Sequence, residues 1–373
     1  MTFPIINHLD ELRAQVGHQP EIGFITNEFG YTIVSYIIST GETFTGENKD
    51  WARECRGITF DRKGNIHSRP LHKFFNIGEL PETQIHNVET MMNMGRVLRV
   101  MDKRDGSMVH PVRVQGKVYL KTKKSFTSDA ANLATAWMEY ALPNHVKFCH
   151  ACIEEGITPI FEFTSPKNRI VLPYAHDELR LLHIRDNVTG EYVDNPGVYA
   201  KLMGFEIPTG AEYDVSKFGP SDILSSMEHD EDKEGYVIQF DDGSMVKGKT
   251  QWYLQLHRTI VFVRERDVAE MVVNETVDDY KSYVASAPEP DAQLKKIENI
   301  EHRVLTAIRK IETEIEAAVA EVAHLSDRKE IALKMKGHKW FSAVMNRING
   351  KEFDIRDYFM KNILKKEFTL EQI

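Results

Sequence analysis

The chain has 373 residues, of which 42% are hydrophobic and 28% charged, with three cysteines; this is enough for two domains with their own cores and excludes a disordered, collagen-like or membrane-embedded chain and a disulfide-stapled mini-protein. A net charge of −9, from 47 basic and 56 acidic residues, argues against a protein that coats nucleic acid with its whole surface. No apolar run reaches the roughly 18 residues of a bilayer span, and the amino terminus carries neither a basic nor an apolar targeting region, so the reducing cytoplasm is the expected setting.

From Gly23 to about Met245 the pattern is short β-rich runs separated by turn residues. Residues 57–60 and 66–68 around Lys63-Gly64-Asn65 predict a hairpin, as do Tyr236 to Phe240 and Ser244 to Gly248 around Asp241-Asp242-Gly243. Ser128 to Glu155 predicts a helical insert, with Leu133, Trp137, Tyr140 and Ala141 on one face. Ser282 to Gln293 is rich in proline and small residues and predicts a connection. Beyond it Leu294, Ile297, Glu301, Val304, Ile308, Ile311, Ile315, Ala318, Val322 and Leu325 alternate steps of three and four. That is the seam either of a two-chain coiled coil or of a long helix packed in its own helical domain. From Ala292 onward basic residues outnumber acidic ones by 16 to 13, which permits a nucleic-acid partner at this end.

The chemistry begins at Lys103-Arg104-Asp105-Gly106, where an apolar run delivers a lysine into a tight turn. A lysine is a nucleophile only when neutral, which requires desolvation or neighbouring cations. Around it, in chain order, stand Glu54-Cys55-Arg56-Gly57, Ser68-Arg69-Pro70-Leu71-His72-Lys73-Phe74-Phe75-Asn76, Lys121-Thr122-Lys123, Phe161-Glu162-Phe163 with Asn168-Arg169, Glu234-Gly235-Tyr236-Val237, and Lys247-Gly248-Lys249. The K-x-D-G, F-E-F, E-G-Y-V and K-x-K elements resemble those of the covalent nucleotidyltransferases, the ATP-dependent ligases and capping enzymes. E-C-R-G with S-R-P-x-x-K-F-F-N resembles the phage RNA ligase 1 family of the bacteriophage T4 type.

The resemblance implies an α+β fold: an antiparallel-sheet nucleotidyltransferase (ATP-grasp-like ligase) domain over residues 1–255, followed by an all-α domain over 256–373 that reads RNA or tRNA. It implies that Lys103 takes AMP from ATP, that Lys247 and Lys249 face the α-phosphate, and that Arg56 and Lys73 lie on the triphosphate side. Lys121 and Lys123 would contact the nucleotide or its phosphates; Glu162 would read the ribose hydroxyls, and Glu162 and Glu234 would hold Mg2+ or Mn2+. Phe75, Phe161 or Phe163 would stack on or wall the adenine, with core packing the commoner role of such residues. The implied substrates are RNA 5'-phosphate and 3'-hydroxyl ends, including anticodon-nicked tRNA, joined by a monomer in the cytoplasm of a phage-infected bacterium. Lys336, Lys339 and Trp340 are the candidate RNA contacts of the second domain, Trp340 either stacking on an unpaired base or, the commoner role, anchoring its helix to the core.

Two other readings of the residues stay open. Gly243 to Thr250 satisfies the P-loop pattern G-x-x-x-x-G-K-[ST], which would make a phosphotransferase. A non-catalytic RNA-binding module would use the basic end alone. Cys149 and Cys152 form a lone C-x-x-C, expected as a half-buried helical pair and not a zinc site.

Overall fold

A computed structural model describes residues 2–38, 42–168, 170–215, 220–254, 265–285, 291–351 and 353–364. The chain divides into two compact units, one of Met1–Ile25 and Tyr31–Leu256, the other of Thr26–Gly30 and His257–Ile373.

Thirteen strands are found among the described residues: β1 (Ile22–Thr26), β2 (Thr32–Tyr36), β3 (Arg56–Phe60), β4 (Ile66–Ser68), β5 (Phe75–Asn76), β6 (Val97–Lys103), β7 (Ser107–Val114), β8 (Lys117–Lys121), β9 (Ile157–Thr164), β10 (Glu178–Asp186), β11 (Glu212–Tyr213), β12 (Gly235–Phe240) and β13 (Met245–Lys249). They form three sheets in the orders β1-β2-β3-β4, β10-β9-β7-β8 and β11-β6-β12-β13-β5. The β3–β4 hairpin closes as expected: the Asp61 carboxylate accepts the Lys63 and Asn65 N–H groups at 2.8 and 2.9 Å. One pairing departs from the antiparallel pattern. β5 runs parallel to β13, with Phe75 opposite Val246 and Asn76 opposite Lys247, which brings the K-F-F-N segment beside the K-x-K strand.

Around the sheets lie α1 (Leu9–Val16), α2 (Lys49–Glu54), α3 (Ile85–Asn93), α4 (Asp129–Ala141), α5 (Pro143–Glu154), α6 (Pro196–Leu202) and α7 (Pro220–His229). The insert expected as one helix is two. Pro143 has no N–H to donate and pushes Leu142 out of helical geometry (φ −127°, ψ 60°), so the chain restarts with proline in the first helical turn. Of its expected face, Leu133 and Trp137 pack half-buried against the core and Tyr140 does not. Ala131, Ala134, Thr135 and Met138 face inward while Tyr140 is 88% exposed. The small side chains let α4 approach β8 closely enough for the Leu120 N–H to reach the Thr135 hydroxyl at 2.9 Å. Cys149 and Cys152 are free thiols fully buried in this core beside Phe148 and Phe161.

The second unit is helical: α8 (Glu265–Val273), α9 (Val277–Ala285), α10 (Asp291–Val322), α11 (Arg328–Lys334), α12 (Phe341–Ile348) and α13 (Ile355–Phe359). Ile297, Val304, Ile308, Ile311, Ile315, Ala318 and Val322 of α10 are buried, and helices of the same unit, α8, α9, α12 and α13, pack on α10. Glu301 interrupts the apolar seam because Lys281 of α9 pairs with it. Part of the expected connection, 286–290, lies outside the described residues.

Candidate active site

β6 ends at Lys103, the turn Arg104–Gly106 crosses between sheets, and β7 begins at Ser107. In the register, Gly235 of β12 stands opposite Lys103 on one side and Lys249 of β13 on the other. Three adjacent strands therefore carry Lys103, Gly235 and Lys249 in one row. A side chain at position 235 would put its Cβ 2.0 Å from the Gly248 carbonyl oxygen, so only glycine fits. Lys247 and Lys249, two apart, share the face of Met245, which packs with Val237, Met108 and Ile160 between two sheets. On the facing sheet Glu162 lies opposite Met108, two residues beyond Ile160. The space between the sheets is thus apolar at one end and lined with charges at the other.

Glu234, at the start of β12, is only 4% exposed. Its Oε1 takes both ammonium groups, Lys103 Nζ at 2.5 Å and Lys249 Nζ at 2.8 Å, while its buried Oε2 has no hydrogen-bond partner among the described residues. Burial pushes this carboxyl up, but the two lysines outweigh it and hold Glu234 below the usual carboxylate range. Glu162 shows the opposite balance. Burial, reinforced by Glu234 and Asp105, lifts it to about 8 despite Lys103 and Arg56 nearby. An orphaned carboxylate oxygen beside a carboxyl that needs a cation to stay ionised is a donor set that suits a hard divalent metal.

Asp105 and Gly106 fix the turn. The Asp105 carboxylate accepts N–H groups from Val171 at 2.7 Å and Leu172 at 2.6 Å, and the Tyr253 hydroxyl at 2.9 Å. A Cβ on Gly106 would fall 2.5 Å from the Phe163 carbonyl oxygen. The Tyr253 ring also lies 4.5 Å from the Lys249 ammonium. The aspartate of K-x-D-G is therefore an anchor, and Tyr253 is a site residue that the motif search missed, since nothing in a lone tyrosine distinguished it from core.

Arg56 leads β3, lies over the Phe74 ring at 5.4 Å and donates to the His72 carbonyl at 3.3 Å. The Lys73 ammonium sits 5.1 to 5.8 Å from the rings of Phe75, Phe44 and Tyr36, and Lys123 is 3.8 Å from the Tyr36 ring. Cations and aromatic faces thus gather next to β5 and β13.

Several expectations need correction. Lys121 has no exposure: its ammonium donates to the Gly57 carbonyl at 3.1 Å and the Lys123 carbonyl at 3.4 Å and lies 3.3 Å from His110 Nε2, so it braces the wall and offers nothing to a phosphate. Phe161 and Phe163 point to the side of β9 opposite Glu162 and are core, and Phe75 is buried with Phe44. The P-loop pattern is overturned, because Met245–Lys249 is an antiparallel strand and not a phosphate-cradling loop. Arg169 lies outside the described residues.

In the helical unit Trp340 is 3% exposed, donates Nε1–H to Glu314 at 2.7 Å and meets Tyr358 edge-on at 5.2 Å. It is an anchor and is not available to stack on a base. Lys339 pairs with Glu314 at 3.2 Å, Arg347 bridges Glu312 and Glu316, and Lys336 is exposed.

Residues 54–255 match the family model described as RNA ligase. A Thermovibrio ammonificans protein described as an RNA ligase is 34% identical over 74% of this chain and 73% of its own length. RNA ligase 1 of Bacteriophage TS2126 is 29% identical over 62% of this chain and 58% of that protein. An archaeal ATP-dependent RNA ligase of known structure is 11% identical with a TM-score of 0.45, over 92% of this chain and 96% of that one. With its family match spanning more than half its length, the chain belongs to the RNA ligase family.

Proposed function

We propose that this RNA ligase is ATP-dependent and works through AMP held on Lys103. The observation that carries the reading is the ion-paired trio Lys103, Glu234 and Lys249, a lysine at the mouth of a charged cleft beside a carboxylate with one oxygen unpaired among the described residues. In the first step Lys103 gives its ammonium proton to solvent, the neutral Nζ forms a P–N bond to the α-phosphorus of ATP and releases a second proton, the bridging P–O bond breaks and pyrophosphate leaves with the electron pair. Glu234 holds Lys103 as an ion pair, so the nucleophile is released only as that carboxylate finds another cation. Lys249, and Lys247 from the same face of β13, offer N–H donors to the charge developing on the α-phosphate.

An RNA 5'-phosphate oxygen then attacks the same phosphorus, the P–N bond breaks and Lys103 regains its proton. Finally an RNA 3'-hydroxyl attacks the 5'-phosphorus and AMP leaves. Arg56, Lys73 and Lys123, gathered beside β5, are the cations for the β- and γ-phosphates. Glu234 and Glu162 would hold Mg2+ or Mn2+, which supplies charge neutralisation at phosphate when bound. The adenylylating site falls to residues 1–255 and RNA recognition to 256–373. Broken RNA such as anticodon-nicked tRNA, and a phage-infected bacterial cytoplasm, are the substrate and setting we assign; the Bacteriophage TS2126 relative supports that setting. The covered seam of α10 supports a monomer.

The test is an intact mass after incubation with ATP and Mg2+. One added AMP, lost in Lys103→Ala, is the expected result. No adduct would favour an RNA-binding module.

A further inference from the structure

Outside the charged cleft the chain buries a second ionic cluster, made from the parts of E-C-R-G and S-R-P that the chemistry leaves unused. Glu54, Arg69 and Arg185 are each 0 to 1% exposed. The Glu54 carboxylate accepts Arg69 Nε at 2.9 Å and both Arg185 Nη atoms, at 2.8 and 2.7 Å. The other guanidinium donors go to main-chain carbonyls: Arg69 to Pro4, Asn187 and Val188, Arg185 to Pro70 and Gly190. The Arg69 N–H also reaches the Thr158 hydroxyl of β9 at 2.9 Å. The Arg185 guanidinium sits between the rings of Phe3 and Tyr192, 4.7 Å from each. Tyr192 Oη accepts the His72 N–H at 3.1 Å and lies 2.8 Å from its Nδ1.

The cluster is continuous with the cations of the cleft. Arg56 follows Glu54 by two residues, and Lys73 follows Arg69 by four. The two segments are tied at three points: Glu54 to Arg69, the Lys73 N–H to the Arg53 carbonyl at 2.7 Å, and the Arg56 guanidinium to the His72 carbonyl. The segments that carry Arg56 and Lys73 are therefore held together by these three ties, of which the Glu54–Arg69 bond is the buried, charge-assisted one, and not by the two cations, which repel. Three charge-assisted bonds on one carboxylate, two from a planar fork, leave little freedom.

We propose that the Glu54–Arg69–Arg185 clamp is a positioning device for the Arg56 and Lys73 cations and acts selectively on the steps that hold a triphosphate or pyrophosphate. This rests on the reading that those cations meet the β- and γ-phosphates. An RNA that already carries 5'-AMP has neither group, so its sealing does not need their spacing. Formation of lysine-AMP from ATP, and its reversal by pyrophosphate, do.

The experiment compares full-length parent, Glu54→Gln and Arg69→Lys. The first variant keeps the shape of the acceptor without its charge; the second keeps the charge with a poorer fork. Each is assayed for lysine-AMP formation over a range of ATP, for ATP release from the adenylylated enzyme by pyrophosphate, and for sealing of pre-adenylated RNA. Tenfold or greater rises in KM for ATP and for pyrophosphate, with sealing of pre-adenylated RNA within threefold of the parent, are expected. Equal losses in all three assays mean the clamp only holds the fold, and overturn the proposal. If Glu54→Gln does not fold, Arg69→Lys carries the same comparison, and an unchanged KM in it is equally fatal. Absence of AMP transfer in the parent defeats the ligase reading itself, a result distinct from either.

Discussion

Glu54 and Glu234 are both buried carboxylates that face two cations, yet they are built for opposite ends. At Glu54 the partners are arginines, both oxygens are used, and the remaining donors are spent on carbonyls. At Glu234 the partners are lysines that share one oxygen, and the other oxygen is left without a partner. A guanidinium fork fixes geometry, whereas an ammonium is a point charge that exchanges partners readily. The first cluster resembles a rivet and the second a set of parts waiting for phosphate and metal. Burial alone does not distinguish structure from chemistry; the saturation of the donors does.

The sharpest way to break the comparison is to remove the groups on the reactive side. Lys103→Ala should abolish transfer of AMP to the protein while retaining sealing of pre-adenylated RNA, because Lys103 is the nucleophile only in the first step. Wild-type AMP transfer in this variant would remove the lysine from the mechanism. Lys249→Ala and Glu234→Gln should each slow adenylylation by about 100-fold or more, corresponding to about 3 kcal/mol of barrier. Lys249→Arg tests the contrast itself. If a fork at this position saturates Glu234, adenylylation falls although the charge is kept, and a parental rate would mean that only charge matters there.

Stability should rank the two sites in reverse. Glu54→Ala leaves two buried guanidinium groups uncompensated and should cost about 3 to 5 kcal/mol in urea unfolding. Glu234→Gln leaves the amide able to accept from one lysine, and Lys103, whose side chain is 21% exposed, can turn its ammonium to water, so its cost should be below that. A Glu234→Gln loss equal to that of Glu54→Ala would make both clusters structural.

Acid titration separates the Glu54 cluster from a histidine outside both clusters. Partial burial, helped by the Arg113 charge nearby, lowers His67 from 6.5 to about 4. Below 6.5 the unfolded chain therefore takes up a proton the folded chain refuses, and stability declines from about pH 6.5 to about 4 by roughly 3 kcal/mol from this group. Glu54 is also lowered: burial raises it, but Arg185 and Arg69 prevail and hold it at about 2. Its contribution is complete above about 4.5 and is lost as the pH falls toward 2. His67→Gln, which keeps an acceptor for the Arg113 N–H at this position, should make the upper limb shallower, the rest of it belonging to His72, His110 and His183, which burial also lowers, and leave the lower one. Unfolding free energies measured from pH 7.5 to 4.5 that fall equally in both proteins would place that limb on other groups.

Legibility in the sequence followed the type of constraint. Lys103, Glu234 and Lys249 are readable because short motifs mark each of them and the register of Gly235 with Lys103 and Lys249 draws the motifs together, and the hairpins are readable from Gly64 and Gly243 in their turns. Lys121 was misread because its motif says nothing about which carbonyls surround it: only tertiary packing sends its ammonium to Gly57 and Lys123. Arg185 was invisible for a related reason. It is over 100 residues from Glu54 and lies in an ordinary strand, so no local pattern marks it. The α4 face is legible at Leu133 and Trp137, which pack on the core, and not at Tyr140, where hydrophobicity favours an inward side chain while close packing on β8 selects alanine.

The smallest effects belong to the helical unit, where the comparison extends to its surface cations. Lys339 and Arg347 are engaged with Glu314, Glu312 and Glu316, while Lys336 is exposed. Only a cation that trades its counterion for an RNA phosphate adds to salt dependence, by about 0.7 to 0.9 in the log–log slope. Lys336→Glu should reduce that slope by about one unit for a tRNA ligand, and Lys339→Glu by less, since Lys339 already has a carboxylate partner. Trp340→Phe removes the bond to Glu314 and should cost about 1 kcal/mol of stability with RNA affinity unchanged, because the ring is buried. Binding isotherms at several salt concentrations distinguish the outcomes. A slope that survives both lysine reversals excludes this segment from the RNA contact, and an affinity loss in Trp340→Phe at unchanged stability means the indole leaves its anchor to meet the RNA.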